Sequence, residues 1–170
     1  ERMLNVFEAA LKKSENGEKV QPQVYFDIIE FIKKFGDKCH HGKEEDLLFP
    51  AMEIKGFSKQ MGPVAVMLYE HTQGRNLVAV MTSAAERYAT GDASALKDLA
   101  LAGRNFIGLL RQHIQKEDNI LFVMSDQHFN EVEQNELLAK FQKVEQENEA
   151  CASKSKFIST LESLEKEFIS

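Results

Sequence analysis

His40-His41-Gly42-Lys43-Glu44-Glu45-Asp46-Leu47-Leu48-Phe49-Pro50 sets two adjacent imidazoles one turn ahead of two adjacent carboxylates, at the end of a long apolar-patterned run. Residues four apart share one face of an α-helix, so His40 pairs with Glu44, and His41 with Glu45 makes a copy one residue out of phase. The helix that carries them decides between the two. It starts near Gln21-Pro22, with proline in a first turn where it is tolerated, and ends between Pro50 and Lys55. Tyr25, Ile29, Ile32, Gly36, His40, Glu44 and Leu47 fall on one stripe of it. That stripe selects His40 with Glu44 and turns His41 away by about 100°, which predicts His41 exposed or as an outer partner. A register slip of one residue would reverse the choice.

Outward from this helix the chain reads as further helices and no strand. The first covers about Arg2 to Lys13, with Met3, Val6, Phe7, Ala10 and Leu11 in phase, and Asn16-Gly17 stops it. A third, about Pro63 to Thr90, aligns Val64, Leu68, His71, Arg75, Val78 and Thr82. Gly91-Asp92 marks a turn and a cap. A fourth, about Ala93 to Met124, aligns Leu99, Gly103, Phe106, Leu110, His113, Glu117, Ile120 and Met124. Two charged amphipathic segments follow, Glu131 to Glu149 and Lys156 to Phe168. The expected fold is all-α: an up-down four-helix bundle over residues 1–126, with a helical extension over 127–170 packed on it.

Three of the five histidines lie within apolar stripes: His40, His71 and His113. His113 and Glu117 repeat the spacing of His40 and Glu44 in another helix. Burying a carboxylate is costly unless it is paired or bound to a cation. Bundle interiors build two-metal sites from inward Glu and His on facing helices. One such pair is more often a hydrogen-bonded or surface pair; two pairs and a third in-stripe histidine leave metal binding and structural pairing open on equal terms. His128, past Asp126, reads as an ordinary surface histidine. Glu45 and Asp118 read as surface acids or as outer partners of the histidines. Gly36, one turn before His40, either leaves room for a small ligand or lets helices pack closely.

His-His-Gly-Lys-Glu-Glu-Asp-Leu-Leu-Phe-Pro at 40–50, Glu-His-Thr-Gln-Gly-Arg at 70–75 and His-Ile-Gln-Lys-Glu-Asp-Asn-Ile-Leu-Phe at 113–122 resemble, in order and separation, the signature of the hemerythrin-like HHE cation-binding family, bacterial type. The similarity runs from the first residue to about Met124. It implies a non-haem di-iron centre inside the bundle, with His40, His71 and His113 as terminal ligands and Glu44 and Glu117 as bridges. Zinc or manganese would also suit such donors. Two departures stand out. The family has a further histidine early in the first helix, and the opening Glu1-Arg2-Met3-Leu4 resembles the stretch just after it, so the first helix reads as truncated. Arg75 stands where oxygen carriers place another histidine. It cannot ligate, so it either pairs with a carboxylate or leaves one iron open to a small ligand.

The bulk numbers narrow the function classes. The 170 residues suit one domain, and a net charge of -6 is a poor match to the clustered Lys and Arg that phosphate binding needs, so nucleic acid is not expected. No apolar run approaches the roughly 18 residues of a membrane span. Cys39 and Cys151 match no metal or redox spacing, and the expectation is two reduced thiols in a cytoplasmic protein. The resemblance implies a protein that binds or senses a small diatomic, oxygen or nitric oxide. The alternatives are iron storage, donation or iron-centre repair, and an oxidoreductase acting on peroxide or nitric oxide. Whether it is an enzyme stays open, and the polar helices after Asp126 could serve as a homodimer surface.

Overall fold

In the computed structural model, which describes residues 1–169, every regular element is helical. Four long runs form the bundle. Helix α1 is Arg2–Glu15. The second run is unbroken from residue 22 to 54: α2 (Pro22–Phe31), a π-helical segment Ile32–His41, a π-helical turn Glu44–Leu48, then α3 (Phe49–Ile54). Helix α4 is Gly62–Ala89. The fourth run joins α5 (Ala95–Lys116), a π-helical turn Glu117–Leu121 and α6 (Phe122–His128). The extension is α7 (Glu131–Glu147), the one-turn α8 (Glu149–Ala152) and α9 (Lys154–Phe168).

Local chemistry sets these boundaries where the sequence indicates them. Gly17 and Gly91 take φ of 85° and 101° in the turns after α1 and α4, a conformation that costs glycine nothing. Asn130 caps α7 with a full capping box, its side chain accepting from Glu133 N while Glu133 returns to Asn130 N.

The apolar side chains form two main clusters. The larger is built from α1, α2, α4, α5 and α9 around Phe7, Tyr25, Ile28, Met81 and Leu99, all fully buried; each such side chain contributes about 1.5–3 kcal/mol. The smaller joins Leu48, Phe49, Met52, Val64, Met67, Leu121 and Phe129. On three helical runs the chain passes from one cluster to the other, and the intervals between hold His40 to Glu44, His71, and His113 to Glu117. The polar site therefore lies between the two apolar clusters along the bundle axis.

Two expectations change. The stripes predicted Leu47 and Ile120 as inward residues, but Leu48 and Leu121 are the buried ones, while Ile120 is exposed. In both runs the shift of one residue coincides with a π-helical turn that begins at the glutamate. A π-turn, with its i→i+5 bonding, inserts one residue per turn into an α-helical pattern, so a stripe counted at α-helical period is one residue short beyond it. The cysteines are also not free thiols. Cys39 and Cys151, 112 residues apart, form a disulfide, because α8 packs on the first π-helical segment with Ala150 and Val144 around the sulfurs. Sequence spacing carries no information about a contact made by the tail folding back.

Candidate metal centre

Glu44, His71, His113 and Glu117 are each 2–3% exposed, although nothing apolar about them favours burial. They face each other across three helical runs. His113 Nε2 lies 2.9 Å from Glu117 Oε1, and His71 Nε2 lies 3.4 Å from Glu44 Oε2. His40 reaches over both carboxylates, its Nε2 3.6 Å from Glu117 Oε1 and 3.9 Å from Glu44 Oε1. The structure thus brings together all five residues that the sequence singles out: His40, Glu44, His71, His113 and Glu117.

It also brings in one that the stripe turned away. His41 is not exposed: its side chain is 14% accessible, and its ring stacks on His71 at 3.9 Å between centroids and 13° between planes. The cause is the π-helical segment. Its wider turn brings consecutive side chains closer in direction than an α-helix does, so His40 and His41, with ring centroids 5.5 Å apart, both face the site. Two donor sets result, each able to offer one atom per residue within 4.8 Å of the others: His41, Glu44, His71 and His113, and His40, Glu44 and Glu117. Glu44 belongs to both. The only available signal for His41 was its adjacency to His40; the α-helical period read that adjacency as divergence.

Behind the donors lies a second layer of carboxylates. Glu45 accepts from His71 Nδ1 at 2.6 Å, and Glu70 from His113 Nδ1 at 2.9 Å, with Lys116 beyond it. Asp37 lies 3.2 Å from His41 Nδ1. Arg75 joins two of the three: its Nε donates to Asp37 at 2.9 Å and its terminal nitrogen to Glu45 at 2.8 Å. The carboxylate-pairing alternative for Arg75 is the one the structure adopts. Each partner fixes which ring nitrogen carries the proton and leaves Nε2 facing inward. Asp118 is exposed, as expected of a surface acid. His128 is exposed; its Nδ1 lies 2.7 Å from the Met124 carbonyl and its ring meets Phe57 edge-on at 4.8 Å.

The inner face is unsatisfied. Both oxygens of Glu44, Oε1 of Glu117, and Nε2 of His71 and His113 are fully buried with no hydrogen-bond partner. An atom so placed costs about 1–3 kcal/mol when nothing offsets it; the contacts of His113 with Glu117 and of His71 with Glu44 offset part of that, and the five atoms converge on one small volume. A cation offers every one of them a partner at once.

The charge distribution fits the same need. Burial alone would lower the His40 and His113 pKa values and raise that of Glu117. Instead, the Glu117 and Glu44 carboxylates hold His40 above its ordinary value, and Glu117 and Glu70 do the same for His113. The two imidazoles in turn hold Glu117 far below the usual carboxylate range. His41 goes the other way: burial, with the neighbouring histidines, pushes it down to about 4, so at neutral pH it is an unprotonated donor. Burial would raise the Glu45 pKa too, but Arg75 and His71 outweigh it and keep the carboxylate ionised.

A cavity of about 710 Å³ opens from the donors toward the larger apolar cluster, walled by Phe31, Phe35, Val78, Phe106, Leu110 and Ile114. Gly36 lines it, and a Cβ there would meet nothing within 4 Å. Of the two readings of Gly36, open space is the one observed.

A family model describing the hemerythrin HHE cation-binding domain matches residues 1–125. The chain belongs to that family. It is a helical bundle that binds a metal cation, and the buried imidazole and carboxylate cluster is the place in it suited to one. No curated protein and no solved structure gave a significant match. Among the described residues no helix is long and apolar enough to cross a membrane.

Proposed function

We propose that the chain is a non-haem di-iron protein of the HHE family that binds or senses a small diatomic, oxygen or nitric oxide. The observation that carries this is the pair of donor sets sharing Glu44. Two adjacent cations repel, and a carboxylate between them offsets that repulsion. In this reading Glu44 would serve both cations; His41, His71 and His113 would hold one of them, and His40 and Glu117 the other. Mixed imidazole and carboxylate donors suit iron, with zinc or manganese as the competitors. Iron so held supplies reversible one-electron chemistry to a small ligand. The chain's own part is to hold that ligand dry and to orient the donors. Asp37, Glu45 and Glu70 face Nδ1 of His41, His71 and His113 and so turn their Nε2 atoms inward, and the apolar cavity favours uncharged diatomics over ions. We place the protein in the cytoplasm and read residues 1–126 as the metal-binding bundle, with 127–170 as a helical extension packed on it.

A second reading, iron donation, draws on a different observation: the His40 side chain is 45% exposed, so one donor set has a solvent-facing ligand that a chelator or acceptor could displace. Anaerobic loading with Fe(II), followed by air or nitric oxide, separates these readings. About two irons per chain and a reversible optical change with the gas are expected. Iron that loads but leaves to a weak chelator without any gas response would favour donation. No iron uptake would sink both.

A further inference from the structure

The Cys39–Cys151 disulfide joins the residue directly before His40 and His41 to the C-terminal extension. It lies in the segment Ile32–His41, whose π-helical form is what turns both imidazoles inward. Such a run of i→i+5 bonds is rare at this length, where most π-turns are single, so what packs on it decides whether it persists. Contacts from the extension hold it and its two flanks. Phe157 packs edge-on against Phe31 at 5.9 Å and tilted against Phe35 at 6.3 Å. Lys43 pairs with Glu145 at 2.5 Å. Between these two sits the disulfide, the only covalent member. Its sulfurs are covered, with Cys39 6% and Cys151 5% exposed, but the cover is α8, a single turn capped by Asn148 through one bond to Ala150 N. A helix that short has little stability of its own, so its opening admits a reagent without unfolding the bundle.

We propose that Cys39–Cys151 is a redox site that exchanges with dithiol reductants and thereby sets how tightly the neighbouring donors hold metal. This rests on the metal-centre reading above. In the exchange, a thiolate of the reductant attacks one sulfur and the Cys39–Cys151 bond breaks. The reductant's second thiol then displaces that sulfur, so the reductant closes to its own disulfide, and two protons pass to Cys39 and Cys151. Two electrons move, and no further oxidant is needed. Freed of Cys151, the segment relaxes toward α-helical geometry, in which His40 and His41 diverge and one of them leaves the site. The closed form retains metal; the open form releases it. A disulfide that is made and broken in this way is the kind a cytoplasmic protein carries.

The test loads the full chain with Fe(II) anaerobically in two thiol states, air-oxidised beforehand or reduced with a water-soluble phosphine, and follows iron transfer to a ferrous chelator. Thiol titration should find none in the first and two in the second. Release should be at least about 10-fold faster from the reduced protein, the scale on which outer supports of ligands act. Cys151→Ser, far in sequence from every donor, should release at the fast rate and no longer respond to phosphine. Amide exchange across residues 37–43 should quicken on reduction even without metal. Equal release rates, unchanged exchange, or two thiols in the oxidised sample would each overturn the proposal. Failure of both thiol states to take up iron would overturn the metal reading itself, and the coupling with it.

Discussion

The two His-x-x-x-Glu pairs have the same spacing, stand on the second and fourth helical runs and end up in different states. His113 and Glu117 sit where a regular helix, α5, gives way to a π-turn only at the glutamate. The pair is buried and its atoms lie 2.9 Å apart. His40 and Glu44 are 3.9 Å apart with His40 half in solvent, because the helix is π-helical through the histidines as well. There the neighbouring His41 takes the buried place. Spacing chooses a face only while the helical period is known, and the period here is a tertiary property.

The largest effects should come from the two buried carboxylates, Glu44 in both donor sets and Glu117 in one of them. Glu44→Ala and Glu117→Ala should each lower metal affinity by more than about 100-fold, beyond what outer partners contribute, with His128→Ala unchanged as the control. Metal content by emission spectrometry reads all three, and retention of metal by Glu44→Ala would break the two-set description.

His40→Ala and His41→Ala sharpen the contrast directly. If the π-helical geometry holds, each loses one of two metals. A silent His41→Ala would mean that the second run behaves as a plain α-helix, as the stripe predicted.

Next come the outer carboxylates. Glu45→Gln and Glu70→Gln support His71 and His113 respectively, and each should cost about 10-fold or more in affinity. Glu45→Gln should cost more than Glu70→Gln in metal release rate, because Arg75 links Glu45 to Asp37 and so to His41 as well.

The glycines test the scaffold beneath each pair. A Cβ at Gly103 would meet Phe7 Cζ at 2.6 Å and Leu11 Cδ1 at 2.8 Å. Gly103→Ala should therefore lose about 1–3 kcal/mol by overpacking, seen as a lowered Tm. Gly36→Ala meets nothing within 4 Å and should be neutral or gain up to about 1 kcal/mol from helix propensity. Equal losses would contradict the picture of a tight fourth run and a loose second one.

The smallest effect is one the two pairs share. His40 and His113 both have raised pKa values in the metal-free protein. Their charged pairing stabilises that form below pH about 6.5 and is lost as pH rises through the raised values. Metal needs both rings unprotonated. The rise in Tm on adding metal should therefore grow between pH about 6 and about 8; a shrinking rise would show that these rings are not the donors.

What the residues determined alone is the helical class, the boundaries of four runs to within a few residues, and the family, because periodicity, capping and turn chemistry are local. Gly17 and Gly91 act within one turn of themselves. The inward placement of Glu44, His71, His113 and Glu117 was legible for the same reason: each lies on a stripe whose neighbours are apolar. Three features were decided only by the tertiary structure. The π-helical stretches moved Leu48 and Leu121 inward and brought His41 beside His71. The return of the C-terminal extension closed the Cys39–Cys151 bond across 112 residues. The Arg75 bridge between Asp37 and Glu45 spans two helical runs. Each depends on partners far apart in the chain, whose approach is set by how the bundle packs and not by any local preference.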